Sequence, residues 1–219
     1  MPFVLIGGIA VLVRLGRFHR ATADVDTLAT DGLRDATLAL LGPARAEASA
    51  RNSVVIDGVT VDFVPLDERP LTSGAALERA WSQGRSFAFT TATEATVTVI
   101  DSDDAVVASS VLQTASAGSL IYLKMISIMR RRPDRAHKKI TDMHDLIRLV
   151  GAHPLAQLRD ELVGAPEQKW LTEALTKNFR SDARYTILRT ALGNPDAAAL
   201  VPDDLERVAE LADLLKRAS

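Results

Sequence analysis

Two aspartates, Asp24 and Asp26, stand on either side of a single valine in the segment ADVDTL. On an extended strand the side chains at i and i+2 share a face, so both carboxylates point the same way while Val25 turns to the core. Like charges that close repel. The repulsion becomes useful when a divalent cation lies between them, because hard ions such as Mg²⁺ take carboxylate and phosphate oxygens together. Upstream, Gly7 and Gly8 mark a strand-to-helix turn where backbone approaches a phosphate closely and the helix N-terminus favours negative charge. Arg17, His19 and Arg20 add cationic donors nearby. A lone DVD on a solvated strand edge and a lone GG at a turn are both common. Their ordered combination suits a nucleoside triphosphate held on Mg²⁺. Thr22 projects to the same face if the strand already runs at that point, where it would orient nucleotide or metal; otherwise it is a β-branched residue opening a strand.

A second group of chemistry-bearing residues lies in SLIYLKMISIMRRRPDRAHKKITDMHDLIRLV, residues 119 to 150. Lys124 is the first lysine of the chain and sits among apolar neighbours with helical spacing. It would serve as a point-charge phosphate ligand, or else snorkel at a domain seam. Asp142 and Asp145, three apart, are neighbours on one helix face, and surface pairing with Lys138, Lys139 or Arg148 is the plainer reading of them. Arg130, Arg131, Arg132, Arg135, His137, Lys138 and Lys139 are opposed only by Asp134 and form a basic ridge. Such a ridge binds phosphate backbones in a salt-sensitive way, or simply complements a helix dipole.

The elements that must position these groups follow from patterning. The net charge of −2 conceals two unlike halves: residues 1–115 hold 9 Arg and no Lys against 14 acids, residues 116–219 hold 17 Lys plus Arg against 14 acids. Texture changes at the same place, from β-branched runs such as VVIDGVTVDFVPL to helically spaced apolar residues. The pattern predicts strands at 3–6, 24–28, 53–57, 59–64, 86–90, 96–100 and 105–112, and helices at 9–16 and 74–83, with a tight hairpin at Asp57-Gly58. Helices are predicted at 118–132, 141–151, 154–163, 167–178, 182–192 and 203–217. An α/β domain over 1–115 and a helical domain over 116–219 is the economical organisation. With 219 residues, 47% of them apolar, the chain can bury a sizeable core. The absence of cysteine excludes disulfides and thiolate metal sites, and fits a reducing cytoplasm. The apolar run from Phe3 to Val13 lacks a cationic lead and a cleavage site, is broken by glycines, and is too short to span a bilayer, so no membrane association is expected.

GG, HRATADVD, LKMISIMRRR and KKITDMHDL, in that order over roughly residues 5 to 150, resemble the motifs of the AbiEii-like nucleotidyltransferases, toxin halves of type IV toxin–antitoxin systems that include the MenT toxins. The resemblance implies an α+β fold: a polymerase-β-like nucleotidyltransferase domain with a mixed sheet, followed by a C-terminal helical bundle that completes the active site and binds the acceptor. It implies transfer of a nucleotide from an NTP, with Mg²⁺, to the 3′ end of tRNA, which blocks aminoacylation, and a cognate antitoxin as partner. Residue by residue, Gly7 and Gly8 fall on the glycine turn, Asp24 and Asp26 on the metal carboxylates, Lys124 on the helix lysine, and Asp145 on the aspartate of the KDxxDL segment. Here that segment reads TDMHDL, with Thr141 in the lysine's place, so Lys138 or Lys139 would supply the charge from a shifted position. A third metal carboxylate is expected on a neighbouring strand: Asp62 in VTVDFV, which faces the site while Val61 and Phe63 face the core, is the choice, and Asp101 in TVTVID the competitor. Asp24 and Asp26 would bridge two ions and Asp62 would hold only the one that activates the attacking hydroxyl. Lys124 would neutralise the triphosphate, with Arg20 beside it, and Arg130, Arg131, Arg132, Lys138 and Lys139 would take RNA. Phosphorylation of Thr22 would compete for the metal and offer the antitoxin a switch. Two alternatives remain: a nucleotidyltransferase for a protein or small-molecule hydroxyl, and an inactive RNA-binding or antitoxin-docking module.

Overall fold

The structure, a computed structural model, describes residues 3–16, 22, 24–30, 32–43, 45–50, 52–67, 69–100, 103, 105–179 and 202–218. The chain divides into two compact units: Met1–Leu66 with Phe89–Ser116, and Asp67–Ala88 with Ala117–Ser219. The helical unit is therefore discontinuous in sequence, and takes in a segment that lies well before residue 116.

The first unit is a seven-stranded mixed sheet in the order β3-β4-β5-β2-β1-β7-β6. Its strands are β1 (Phe3–Ile6), β2 (Asp24–Ala29), β3 (Ala46–Ala50), β4 (Ser53–Ile56), β5 (Val59–Pro65), β6 (Thr93–Ile100) and β7 (Val106–Thr114). β1 runs antiparallel to β2 and parallel to β7, while β2 runs parallel to β5. Two helices accompany it, α1 (Gly7–Leu15) and α2 (Leu33–Leu41). The Asp57-Gly58 turn has positive φ at both residues, 48° and 84°, as a two-residue type I′ hairpin requires. That turn sets the β4–β5 register: Ile56 faces Val59, and Ser53 faces Asp62. One sheet face packs Ala29, Ala46, Val54 and Phe63 against Leu33, Leu38 and Leu41 of α2. β3, AEASA, carries little strand propensity and was not expected from pattern; antiparallel pairing with β4 makes it a strand. Patterning does not predict α2 either, because its apolar positions acquire a face only against this core.

The second unit holds α3 (Ala76–Thr90) for most of its length, α4 (Ala117–Arg130), a short 3₁₀ turn at Pro133–Arg135, α5 (Ala136–Ala152), α6 (Leu155–Leu162), α7 (Gln168–Phe179) and α8 (Pro202–Arg217). The strand expected at 86–90 is absent: SFAFT continues α3. Aromatic alternation suggested a strand, but Ala80, Gly84 and Ala88 recur every fourth residue and form a buried small-residue stripe along a helix. Against it lies the Tyr122 ring, so close that a Cβ at Gly84 would come within 2.5 Å of Tyr122 Cε1. α4 is buried almost all round, as its apolar sequence demands of a central helix. Leu120, Ile121, Met125 and Ile126 on α4, and Leu146, Ile147 and Leu149 on α5, are fully buried, each contributing about 1.5–3 kcal/mol. At the N-terminus of α4, Glu161 of α6 accepts a hydrogen bond from the Gly118 N–H at 2.6 Å, a carboxylate placed at the positive end of the helix. The helix expected at 182–192 lies outside the described residues. Among the described residues no helix is long and apolar enough to cross a membrane.

Candidate active site

Asp24, Asp26 and Asp62 come together on the sheet, each half-buried, with one carboxylate oxygen from each lying within 4.8 Å of the others. Strand register brings this about. Asp26 faces Asp62 across the parallel β2–β5 pair and faces Ile6 across β1–β2. Asp24 follows on the same face of β2, two residues earlier. On the opposite face, Phe63 sits in the core with Val61 packed against it, so Asp62 cannot swing inward without losing that register. Among the described residues this is the one group of carboxylate and imidazole ligands able to hold a metal ion. The donor set is all oxygen, which suits a hard cation such as Mg²⁺.

Gly7 closes this site from above. It opens α1 with φ +68°, a conformation side chains rarely adopt. A Cβ there would lie 1.9 Å from Asp26 Oδ2, so the missing side chain is the space that the Asp26 carboxylate occupies. The carboxylate thus rests over the first residue of α1, at the positive end of the helix dipole. Gly8 is buried within α1. Gly7→Ala is accordingly expected to cost about 1–3 kcal/mol of stability from the backbone conformation alone. It should also displace Asp26 and weaken divalent-metal binding, which Mn²⁺ titration alongside thermal unfolding would measure.

Hydroxyl groups border the acids. Thr22 lies 3.3 Å from Asp24 with its Oγ1 donating to Oδ1. Ser53 donates its hydroxyl to Asp62 Oδ1. Thr27, buried on the other face of β2, donates to the Asp62 carbonyl at 3.2 Å. Ser53 is a site residue that sequence reading passed over, although the Asp57-Gly58 turn carried the signal. A two-residue loop at 57–58 places residue 53 opposite residue 62 by counting alone.

The helical unit gathers the second group. Lys124 Nζ lies 2.7 Å from Asp145 Oδ2 and 3.0 Å from Asp142 Oδ1, while Arg131 Nε bonds Asp142 Oδ2 at 2.9 Å. All three members of the central trio are buried, Asp145 completely. Asp142 and Asp145 therefore do not pair with Lys138 or Lys139 on the surface, and Arg148 pairs instead with Asp204 at 3.4 Å. Burial alone would pull the Lys124 ammonium down, but the Asp145 and Asp142 carboxylates hold it above its ordinary value of 10.5. The stability this charge contributes is fully present below about pH 10.5 and is lost only as pH rises through the elevated value.

The basic ridge is less uniform than its sequence. Arg130 is engaged by Glu78 at 2.9 Å and lies over the Trp81 ring, 5.1 Å from its centroid. Arg131 is taken up by Asp142. Arg132, Arg135 and Lys138 are exposed and Lys139 half-buried, and among the described residues none of these four pairs with a carboxylate. Thr141 donates to the His137 carbonyl at 3.1 Å, within its own helix. Arg17, His19, Arg20 and Asp101 lie outside the described residues.

Residues 1–213 match the family described as nucleotidyl transferase AbiEii toxin, type IV TA system. No curated protein matches the chain. Among solved structures, an antigenic nucleotidyltransferase-like protein from Paracoccidioides brasiliensis is similar over 94% of this chain and 84% of its own, at 18% identity and a TM-score of 0.45.

Proposed function

The chain belongs to the AbiEii family of nucleotidyltransferase toxins of type IV toxin–antitoxin systems, and on that premise we propose that it transfers a nucleotide from an NTP, with Mg²⁺, to the 3′ end of tRNA. The observation that carries the reading is the convergence of Asp24, Asp26 and Asp62 beneath Gly7. Asp24 and Asp26, on one strand face, would hold the divalent ions that also take the triphosphate, and Asp62 would hold only the one that activates the attacking hydroxyl. Bound Mg²⁺ would lower the pKa of that hydroxyl and offset the charge building on the phosphate. The start of α1 at Gly7 and Gly8 would set the positive end of a helix beside the phosphates. Thr22, against Asp24, borders the same oxygens, and a phosphate on its hydroxyl would crowd the carboxylates with further negative charge.

The acceptor belongs to the helical unit in this proposal. Arg132, Arg135, Lys138 and Lys139 offer cations that no carboxylate of the described residues neutralises, which suits a phosphate backbone. NTP and tRNA are both cytoplasmic, and so is the enzyme in this reading. A blocked 3′ end can no longer be aminoacylated, which stops translation; a cognate antitoxin is the partner that the family implies.

The test is incubation of the purified protein with each labelled NTP, Mg²⁺ and total RNA, followed by gel separation. Label is expected in the tRNA band. Label in protein or in a small-molecule fraction would move the acceptor to another hydroxyl, and no label from a protein that binds metal would leave a docking module.

A further inference from the structure

We propose that Ser53 is a positioning residue for the metal site, committing one oxygen of Asp62 to the protein so that only the other faces the cation, and thereby favouring a small octahedral ion over a larger one. The inference rests on the reading that Asp24, Asp26 and Asp62 hold a divalent cation.

The geometry is specific. Ser53 opens β4 directly opposite Asp62 in the antiparallel register, on the same sheet face. Its hydroxyl donates to Asp62 Oδ1. Three further contacts hold the pair in place. The Phe63 N–H donates to the Asn52 carbonyl at 2.7 Å, Thr27 donates to the Asp62 carbonyl at 3.2 Å, and Val54 beside Ser53 is fully buried. The serine cannot drift from the acid without breaking the hairpin. Asp24 repeats the arrangement, its Oδ1 accepting from Thr22. Two of the three carboxylates thus have one oxygen, Oδ1, bonded by a hydroxyl, which leaves the other oxygen for a cation.

This matters for metal choice. Ca²⁺ takes six to eight oxygens and accepts bidentate carboxylates, whereas Mg²⁺ requires near-octahedral single-oxygen ligation. A carboxylate whose second oxygen is already a hydrogen-bond acceptor is poorly suited to bidentate ligation. Partners that orient metal ligands in this way are worth about 10- to 100-fold in metal affinity or activity.

The test compares wild type, Ser53→Ala and Ser53→Thr by Mn²⁺ binding without nucleotide, read by electron paramagnetic resonance, with Mg²⁺ and Ca²⁺ as competitors. Ser53→Ala is expected to weaken Mn²⁺ binding by about tenfold and to narrow the preference for Mg²⁺ over Ca²⁺. Ser53→Thr, which keeps the hydroxyl, should stay near wild type on both counts. In transfer assays the Ala variant should need about tenfold more Mg²⁺ for half-maximal rate, with the rate at saturating Mg²⁺ largely preserved. Unchanged Mn²⁺ affinity and unchanged Mg²⁺/Ca²⁺ competition in Ser53→Ala would overturn the proposal. So would loss of the far-UV strand signal in that variant, which would make Ser53 a hairpin-closing residue only. Wild-type protein that binds no Mn²⁺ would remove both this inference and the functional reading. Wild type that binds Mn²⁺ but transfers no label would remove the function and leave Ser53 standing.

Discussion

Asp26→Asn is expected to abolish nucleotide transfer while leaving the protein folded. The side chain keeps its size and place on β2, so the Ile6 and Asp62 pairings and the fit against Gly7 survive. What goes is charge. With one carboxylate of the trio neutral, a divalent ion loses its central anionic ligand, and the stabilisation that metal coordination gives a phosphoryl-type transition state is several kcal/mol. At about 1.4 kcal/mol per decade of rate, the loss should exceed roughly a thousandfold. The thermal midpoint should hold or rise, because three carboxylates within 4.8 Å repel in the metal-free protein. Single-turnover transfer from labelled NTP, paired with calorimetric unfolding in chelator, measures both. Transfer within tenfold of wild type would sink the metal assignment. A large fall in the midpoint would mean that Asp26 serves the fold.

Lys124→Ala should behave in the opposite manner, with stability failing before chemistry can be read. The substitution removes the ammonium that balances Asp145, fully buried, and Asp142, nearly so. Arg131 still reaches Asp142 but makes no ion pair with Asp145. Removing one partner of a buried ion pair costs about 3–5 kcal/mol, a large fraction of the stability of an ordinary domain. Urea unfolding should show the midpoint fall with the slope unchanged. Removing the whole group is a different matter: Lys124→Met with Asp142→Asn and Asp145→Asn should recover much of the loss, since no bare charge stays in the core. The triple variant also separates two roles of the lysine. If it folds and still transfers nucleotide, Lys124 holds α4 to α5 and nothing more. If it folds and transfers nothing, one or more of Lys124, Asp142 and Asp145 serves the reaction. Lys124→Ala that loses less than about 1 kcal/mol would show that water or a rearranged Arg131 replaces the ammonium.

Alternation was enough to place Asp24 and Asp26 on one face of a strand, because the two-residue period of extended backbone is a local property. The turn at Asp57-Gly58 was equally local, since only a type I′ hairpin accepts positive φ at both residues so readily. The change from β-branched runs to helical spacing was legible too: α4 lies within two residues of where spacing put it, while α5 begins five residues before the expected 141. Other features depended on partners distant in the chain. The meeting of Asp62 with Asp24 and Asp26 depended on the parallel β2–β5 register, which aligns residues 36 apart and cannot be read from either strand alone. Gly7 read as a turn glycine; only the fold showed that Asp26 fills the volume a side chain would take. SFAFT had a strand's composition, yet burial of Ala80 and Ala88, and of Gly84 against Tyr122 of α4, made it helix, tertiary packing overriding a local preference of a few tenths of a kcal/mol per residue. Asp142 and Asp145 looked like surface partners for nearby lysines because i, i+3 and i, i+4 neighbours are the contacts a sequence displays. Burial of α4 against α5 delivered Lys124 to them instead, since a carboxylate removed from water requires a cation removed with it.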